Sequence, residues 1–151
     1  MIYKLYTDGA TSNNGYEGAY GGYGWAIIAN DKLVEYGNGY ICPATNNICE
    51  LRGMIEGCKA AQSVAEPFDM ILVYSDSAYV VNAFNQGWIY NWRKNNWRTA
   101  GKDPVKNQEL GRELYELTQK HKVEFIKVKG HSDNEYNNRC DFLATSAIKT
   151  L

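Results

Sequence analysis

Hydrophobic and polar positions follow one rhythm up to Ile41 and another from Asn47 onward. Runs rich in apolar and aromatic residues at 2 to 8, 20 to 30 and 32 to 41 predict three consecutive strands. The Gly/Asn-rich stretch SNNGYEGAYGG separates the first two and an Asn30-Asp31 turn the last two, so an antiparallel meander is expected. From about Asn47, Ile48, Leu51, Ile55 and Cys58 recur at steps of three and four residues, the apolar face of a helix that reaches about Val64 before Pro67 closes it. MILVYS, residues 70 to 75, suits a strand buried on both faces, and Ala78 to Gln86 reads as a second helix. Leu110, Leu114 and Leu117 mark a third long helix, VEFIKV at 123 to 128 a fifth strand, and a last helix follows from about Asn137.

Three strands, helix, strand, two or three helices, strand and helix give an α/β protein with a five-stranded mixed sheet flanked by helices. If the first and fourth strands lie side by side in parallel, Asp8 and Asp76 share the carboxyl-terminal edge, where open α/β sheets bind ligands. Glu50, near the start of its helix, and Asp141, in the first turn of the last helix, can be aimed at the same edge.

Those four carboxylates come from separate segments: YTDGA, TNNICEL, VYSDSAYV and GHSDNEYNNRCD. Clustered, they repel by up to ~4 kcal/mol per close pair at an effective dielectric of about 20, which calls for a compensating cation. Each alone has a plainer reading: a turn at Asp8-Gly9, a capping pair at Asn47 and Glu50, a cap at Asp76, a dipole partner at Asp141. Four independent caps are not expected to map onto one sheet edge, so a metal site is the stronger joint reading.

Composition narrows the setting. At 151 residues, 44% hydrophobic and 22% charged, the chain fits one folded domain spanning 1–151. It has no run of about 18 apolar residues, and IYKLYTD lacks the features of a signal peptide, so a cytoplasmic protein without membrane contact is expected. Cys42, Cys49, Cys58 and Cys140 form no CxxC pair and read as reduced thiols. The net charge of −1 hides an asymmetry: between Trp88 and Asn107, Arg93, Lys94, Arg98, Lys102 and Lys106 face only Asp103, a local +4 against −5 elsewhere. Trp88, Trp92 and Trp97 interleave with these bases, as expected where a protein tracks a phosphate backbone, although at least one Trp should anchor the projection in the core.

Taken together, YTDGA, ATNN followed by EL, SDS before YV, the WI to PVKN basic segment and VKGH ten residues before the Asp of RCD resemble type-1 ribonuclease H over nearly the whole chain. The resemblance implies the ribonuclease H-like fold and endonucleolytic hydrolysis of the RNA strand of RNA/DNA hybrids. It implies Asp8, Glu50, Asp76 and Asp141 as metal ligands, His131 as a catalytic histidine, and the basic segment as the binding site for the DNA strand. Oxygen-only ligands suit Mg²⁺, with Mn²⁺ as a substitute, and two such ions can activate water and steady the departing 3′ oxygen, leaving 5′-phosphate and 3′-hydroxyl ends. By the same resemblance Asn14, Asn46 and Asn47 read the RNA strand through its 2′-hydroxyls, and Thr45 and Asn107 seat a DNA phosphate.

Three positions depart from the family pattern. Pro43 replaces an arginine usual two residues before the threonine, Ala78 a glutamine, and Ile48 an arginine after the Asn pair. The first loop is also lengthened by YEGAY. These bear on substrate grip and leave the carboxylates intact. A monomer suffices for this chemistry, and a catalytically weak hybrid-binding domain of the same fold is the alternative.

Overall fold

The computed structural model describes residues 1–11, 20–41, 45–98, 107–128 and 135–149. Strands β1 (Ile2–Thr11), β2 (Gly21–Ala29) and β3 (Lys32–Ile41) form the antiparallel meander. Helix α1 (Asn46–Val64) leads to β4 (Met70–Ser75), and α2 (Ala78–Asn85), α3 (Trp88–Lys94) and α4 (Gln108–Thr118) precede β5 (Lys122–Lys127) and α5 (Glu135–Lys149). The sheet order is β3-β2-β1-β4-β5, with β1 parallel to β4 and β4 parallel to β5. This is the five-stranded mixed sheet expected from the sequence.

Alternation along β1 separates the two faces. Leu5 points into the larger core with Met54 and Ile55 of α1, Val80 of α2, Ile89 of α3 and Leu114 of α4. Tyr6 points the other way, with Ala26 and Ile28 of β2 and Cys140 of α5. Four helices therefore cover one face and α5 the other. Cys49, Cys58 and Cys140 are free and buried, and Cys42 lies outside the described residues.

Local chemistry sets the helix ends. Thr45 caps α1 by accepting a hydrogen bond from Ile48 N at 3.2 Å, and Ser77 caps α2 by accepting one from Val80 N at 3.3 Å. The capping roles allowed above for Asn47–Glu50 and for Asp76 are thereby taken by other residues, leaving both carboxylates free for other work. Two boundaries also differ from the sequence expectation. β1 continues to Thr11, so Asp8 sits within the ladder opposite Gly24 and not in a turn. α5 begins at Glu135, so Asp141 lies well past the first turn and serves no macrodipole.

Candidate active site

The parallel β1–β4 ladder ends at Tyr6 opposite Tyr74. Two residues further along each chain segment stand Asp8, still within β1, and Asp76, just past the end of β4, at the carboxyl-terminal edge. Two glycines let helices deliver the other carboxylates. A Cβ on Gly9 would lie 2.7 Å from Cys49 Cβ and 2.9 Å from Glu50 N, so its absence lets α1 approach β1 closely enough to bring Glu50 beside Asp8. On the opposite face a Cβ on Gly24, the strand partner of Asp8, would lie 2.6 Å from the carbonyl oxygen of Cys140, so α5 can settle there and bring Asp141 to the cleft.

Asp8, Glu50 and Asp76 each offer an oxygen within 4.8 Å of the others. Asp141 stands outside that tight set but lines the same open cleft of about 380 Å³, with Gly9, Asn46, Asn47, Ser77, Ala78 and Tyr79. Burial raises the Asp8 carboxyl to about 7, aided by the negative charges of Asp76 and Asp141 and opposed by the Gly9 N–H, which donates to Asp8 Oδ1 at 2.9 Å. Glu50 is raised well above the usual carboxylate range, again by burial first and then by Asp8 and Asp76. Its Oε2 is buried without a hydrogen-bond partner among the described residues. A buried oxygen lacking a donor, in an all-oxygen set of close carboxylates, fits a hard divalent cation.

The RNase H family model matches residues 2–149. The chain belongs to the RNase H family. This family member is 53% identical over 144 residues to the ribonuclease H of Clostridium botulinum, covering 95% of this chain and 93% of that protein. It superposes with a TM-score of 0.84 and 25% identity on LC9-RNase H1, described as a type 1 RNase H with the type 2 active-site motif, over 99% of this chain and 72% of that one. LC11-RNase H1, solved in complex with an RNA/DNA hybrid, shares the fold at a TM-score of 0.69 and 22% identity, over 98% of this chain and 97% of that one. Family membership makes a nuclease of the hydrolase class the activity to explain.

The remaining sequence candidates fall in distinct places. Asn46 and Asn47 line the carboxylate cleft. Ile48, in the first turn of α1, lines a second depression of about 450 Å³ with Asn107, Gln108, Glu109 and Leu110 at the start of α4. Asn107 holds a left-handed backbone (φ 57°) that suits asparagine, and its side chain makes no capping bond to α4. The basic segment contains α3, on which Arg93 and Lys94 are exposed, as is Arg98 just beyond it. Trp88 is 36% exposed and lies against Trp92, which also contacts Tyr79.

Trp97, by contrast, is 7% exposed and belongs to the main core, with the Arg112 guanidinium 5.4 Å from its ring centre. Trp97 is the anchoring tryptophan, and its ring offers no open face to a ligand. Asn14, His131, Lys102, Lys106 and Pro43 lie outside the described residues. Sequence reasoning missed Ser77 and Tyr79 as cleft residues; their places directly after Asp76 were the available signal. Among the described residues no helix is long and apolar enough to cross a membrane.

Proposed function

We propose that this chain is a single-domain endonuclease that hydrolyses the RNA strand of RNA/DNA hybrids with two Mg²⁺ ions, leaving 5′-phosphate and 3′-hydroxyl ends. The observation that carries this reading is the set of three carboxylates within 4.8 Å, including a buried Glu50 oxygen with no donor, at the edge of a sheet of this family's fold. Asp8, Glu50 and Asp76 would hold the ions, with Asp141 completing the set from the rim. When bound, the ions supply an activated water and neutralise charge on the phosphate and the departing oxygen.

The protein's own groups orient the substrate. Asn46 and Asn47 present amides to the RNA strand inside the cleft, where 2′-hydroxyls distinguish RNA from DNA. Thr45 accepts one backbone hydrogen bond as a cap, and its hydroxyl can still donate to a phosphate, as the Asn107 amide can from the start of α4. Arg93, Lys94 and Arg98 attract the DNA backbone, and Trp88 offers flat apolar surface beside it. His131 is assigned proton transfer or product release, as its family motif implies. We place the enzyme in the cytoplasm as a monomer.

Cleavage of an end-labelled hybrid with Mg²⁺ or with EDTA, beside matched RNA and DNA duplexes, tests the reading. Mg²⁺-dependent cutting confined to the RNA strand of the hybrid is expected. Hybrid binding without cutting would replace this reading with the binding-domain alternative, and cutting of either duplex at an equal rate would overturn the substrate assignment.

A further inference from the structure

Asp76 belongs to neither of the elements that flank it. β4 ends at Ser75, and α2 begins at Ala78 with Ser77 as its cap. Asp8 lies within a paired strand and Glu50 within a helix, so regular hydrogen bonds fix the backbone around each. Asp76 stands at a bend, and its direction depends on what braces the residues on either side.

On one side the Ser75 carbonyl oxygen accepts from Val128 N at 2.8 Å, just beyond the last pair of the β4–β5 ladder. On the other, Ser77 is tied into α2: its carbonyl oxygen accepts from Val81 N at 3.0 Å and its hydroxyl from Val80 N at 3.3 Å. One further bond spans Asp76 itself. The Ser77 N–H donates to Ser75 Oγ at 3.1 Å, closing a turn from the side chain of one neighbour to the backbone of the other. A backbone N–H can only donate, so this bond has a single sense. Ser75 is fully buried, on the same face of β4 as Ile71 and Val73, which pack in the main core. A hydroxyl in that layer is costly unless paired, and the pair it makes is the one across Asp76.

Resting on the reading that these carboxylates hold the ions, we propose that Ser75 is a positioning residue for Asp76: its hydroxyl fixes the turn that aims the Asp76 carboxylate at those of Asp8 and Glu50. The three offer oxygens within 4.8 Å of one another, a spacing that a looser turn would lose. Loss of a group that orients a metal ligand typically weakens metal binding by about 10- to 100-fold. Ser75 acts through the backbone and not on the carboxylate itself, which places its effect at the lower end of that range.

Mn²⁺ binding without hybrid, followed by the EPR signal of the free ion, tests this on wild type, Ser75→Ala, Ser75→Thr and Ile71→Val. Melting temperatures and hybrid cleavage across an Mg²⁺ series accompany it. Alanine leaves the Ser77 N–H without its acceptor, and threonine keeps the hydroxyl. Ile71→Val loosens the same face of β4 near the opposite end of the strand, and so matches any general loss of stability. We expect Ser75→Ala to bind Mn²⁺ about 10-fold more weakly. It should need correspondingly more Mg²⁺ for half-maximal cleavage and keep the wild-type KM for hybrid at saturating Mg²⁺. Ser75→Thr should recover the affinity, and Ile71→Val should bind Mn²⁺ as wild type does despite a lower melting temperature. Wild-type Mn²⁺ affinity in Ser75→Ala would overturn the proposal. So would an equal loss of affinity in Ile71→Val, which would make the effect one of general stability. If the added methyl of threonine prevents folding, the comparison of Ser75→Ala with Ile71→Val decides alone. A wild type that binds no Mn²⁺ would bring down the metal reading and this inference with it, whereas one that binds Mn²⁺ and cuts no hybrid would bring down the substrate assignment alone.

Discussion

Asp8, within β1, and Asp76, the first residue past β4, each stand two residues beyond the paired tyrosines Tyr6 and Tyr74 of adjacent parallel strands. The paired strands bring both charges to one edge, and burial of Asp8 prevents water from screening their repulsion. The arrangement is costly without a cation. Asp8→Asn removes a charge needed to hold the cation, so kcat for hybrid cleavage should drop by at least about 10²-fold, the scale seen when one charge-stabilising group is lost from an active site. Binding of the hybrid, followed by fluorescence anisotropy, should survive or tighten as repulsion toward phosphate falls. Mg²⁺-dependent turnover at the wild-type rate would remove Asp8 from the site.

The same crowding has a consequence for stability. In the folded state the Asp8 carboxyl is raised from 3.8 to about 7, so the fold favours its neutral form. A group shifted upward contributes fully to stability below its unfolded pKa, and that contribution is lost as pH climbs through the folded value. Without metal, wild type should therefore match Asp8→Asn near pH 4 and fall behind it progressively toward pH 7 and above. Each kcal/mol corresponds to ~2–4 °C in a chain of this size. Thermal melts in EDTA at pH 4, 6 and 8 check this, and added Mg²⁺ should narrow the gap at pH 8 by stabilising wild type.

Gly9 supplies a third prediction. Its missing Cβ is the space in which Cys49 and the Glu50 backbone sit, and neither neighbour is the free end of a flexible side chain. Gly9→Ala should force α1 away from β1, costing about 1–3 kcal/mol as an overpacked contact does, and should carry Glu50 out of the carboxylate set. Melting temperature and kcat should fall together, in contrast to Asp8→Asn, where stability at neutral pH rises as activity disappears. A stable, fully active Gly9→Ala protein would show that the seam tolerates a shift.

Much of this architecture was legible in the sequence, and the exceptions share a cause. The strand pattern and the VYSDS turn were enough to place Asp8 and Asp76 together, because parallel pairing and side-chain alternation are periodic properties. The 3.6-residue period found α1. It could not show that Thr45 caps that helix in place of Asn47 with Glu50, because several polar residues at a helix start are equally able to cap. Helix α3 was hidden inside a segment notable for charge, and the burial of Trp97 could not be told from the exposure of Trp88 by spacing alone. The roles of Gly9 and Gly24 depend on contacts between elements distant in sequence, and no local pattern encodes them.

Exposed charge on α3 gives a prediction about salt. Each neutralised phosphate contributes about 0.9 to the slope of log K against log salt on duplex DNA. Arg93→Ala with Lys94→Ala should flatten the slope by roughly 1 to 2 and raise KM at physiological salt, with kcat nearly unchanged. Hybrid affinity measured across a salt series checks it. An unaltered slope would leave these residues as solvated surface.

The tryptophans of this segment separate by function in a way that burial alone decides. Trp97 adopts a positive φ of 61°, unusual for a bulky side chain, and its N–H donates to the carbonyl of Trp92 at 2.6 Å. Packing of its ring in the main core, edge-on to Tyr115, holds that backbone conformation in place. Trp97→Ala should therefore cost ~3–5 kcal/mol, the usual range for emptying a large aromatic site, and lower the melting temperature by about 10 °C or more. Trp88→Ala removes a ring that is 36% exposed, and should leave the melting temperature within a few degrees while raising KM for the hybrid. Thermal melts and steady-state kinetics on the two variants give opposite signatures. If Trp97→Ala keeps wild-type stability and loses only affinity, the ring serves substrate and not the core.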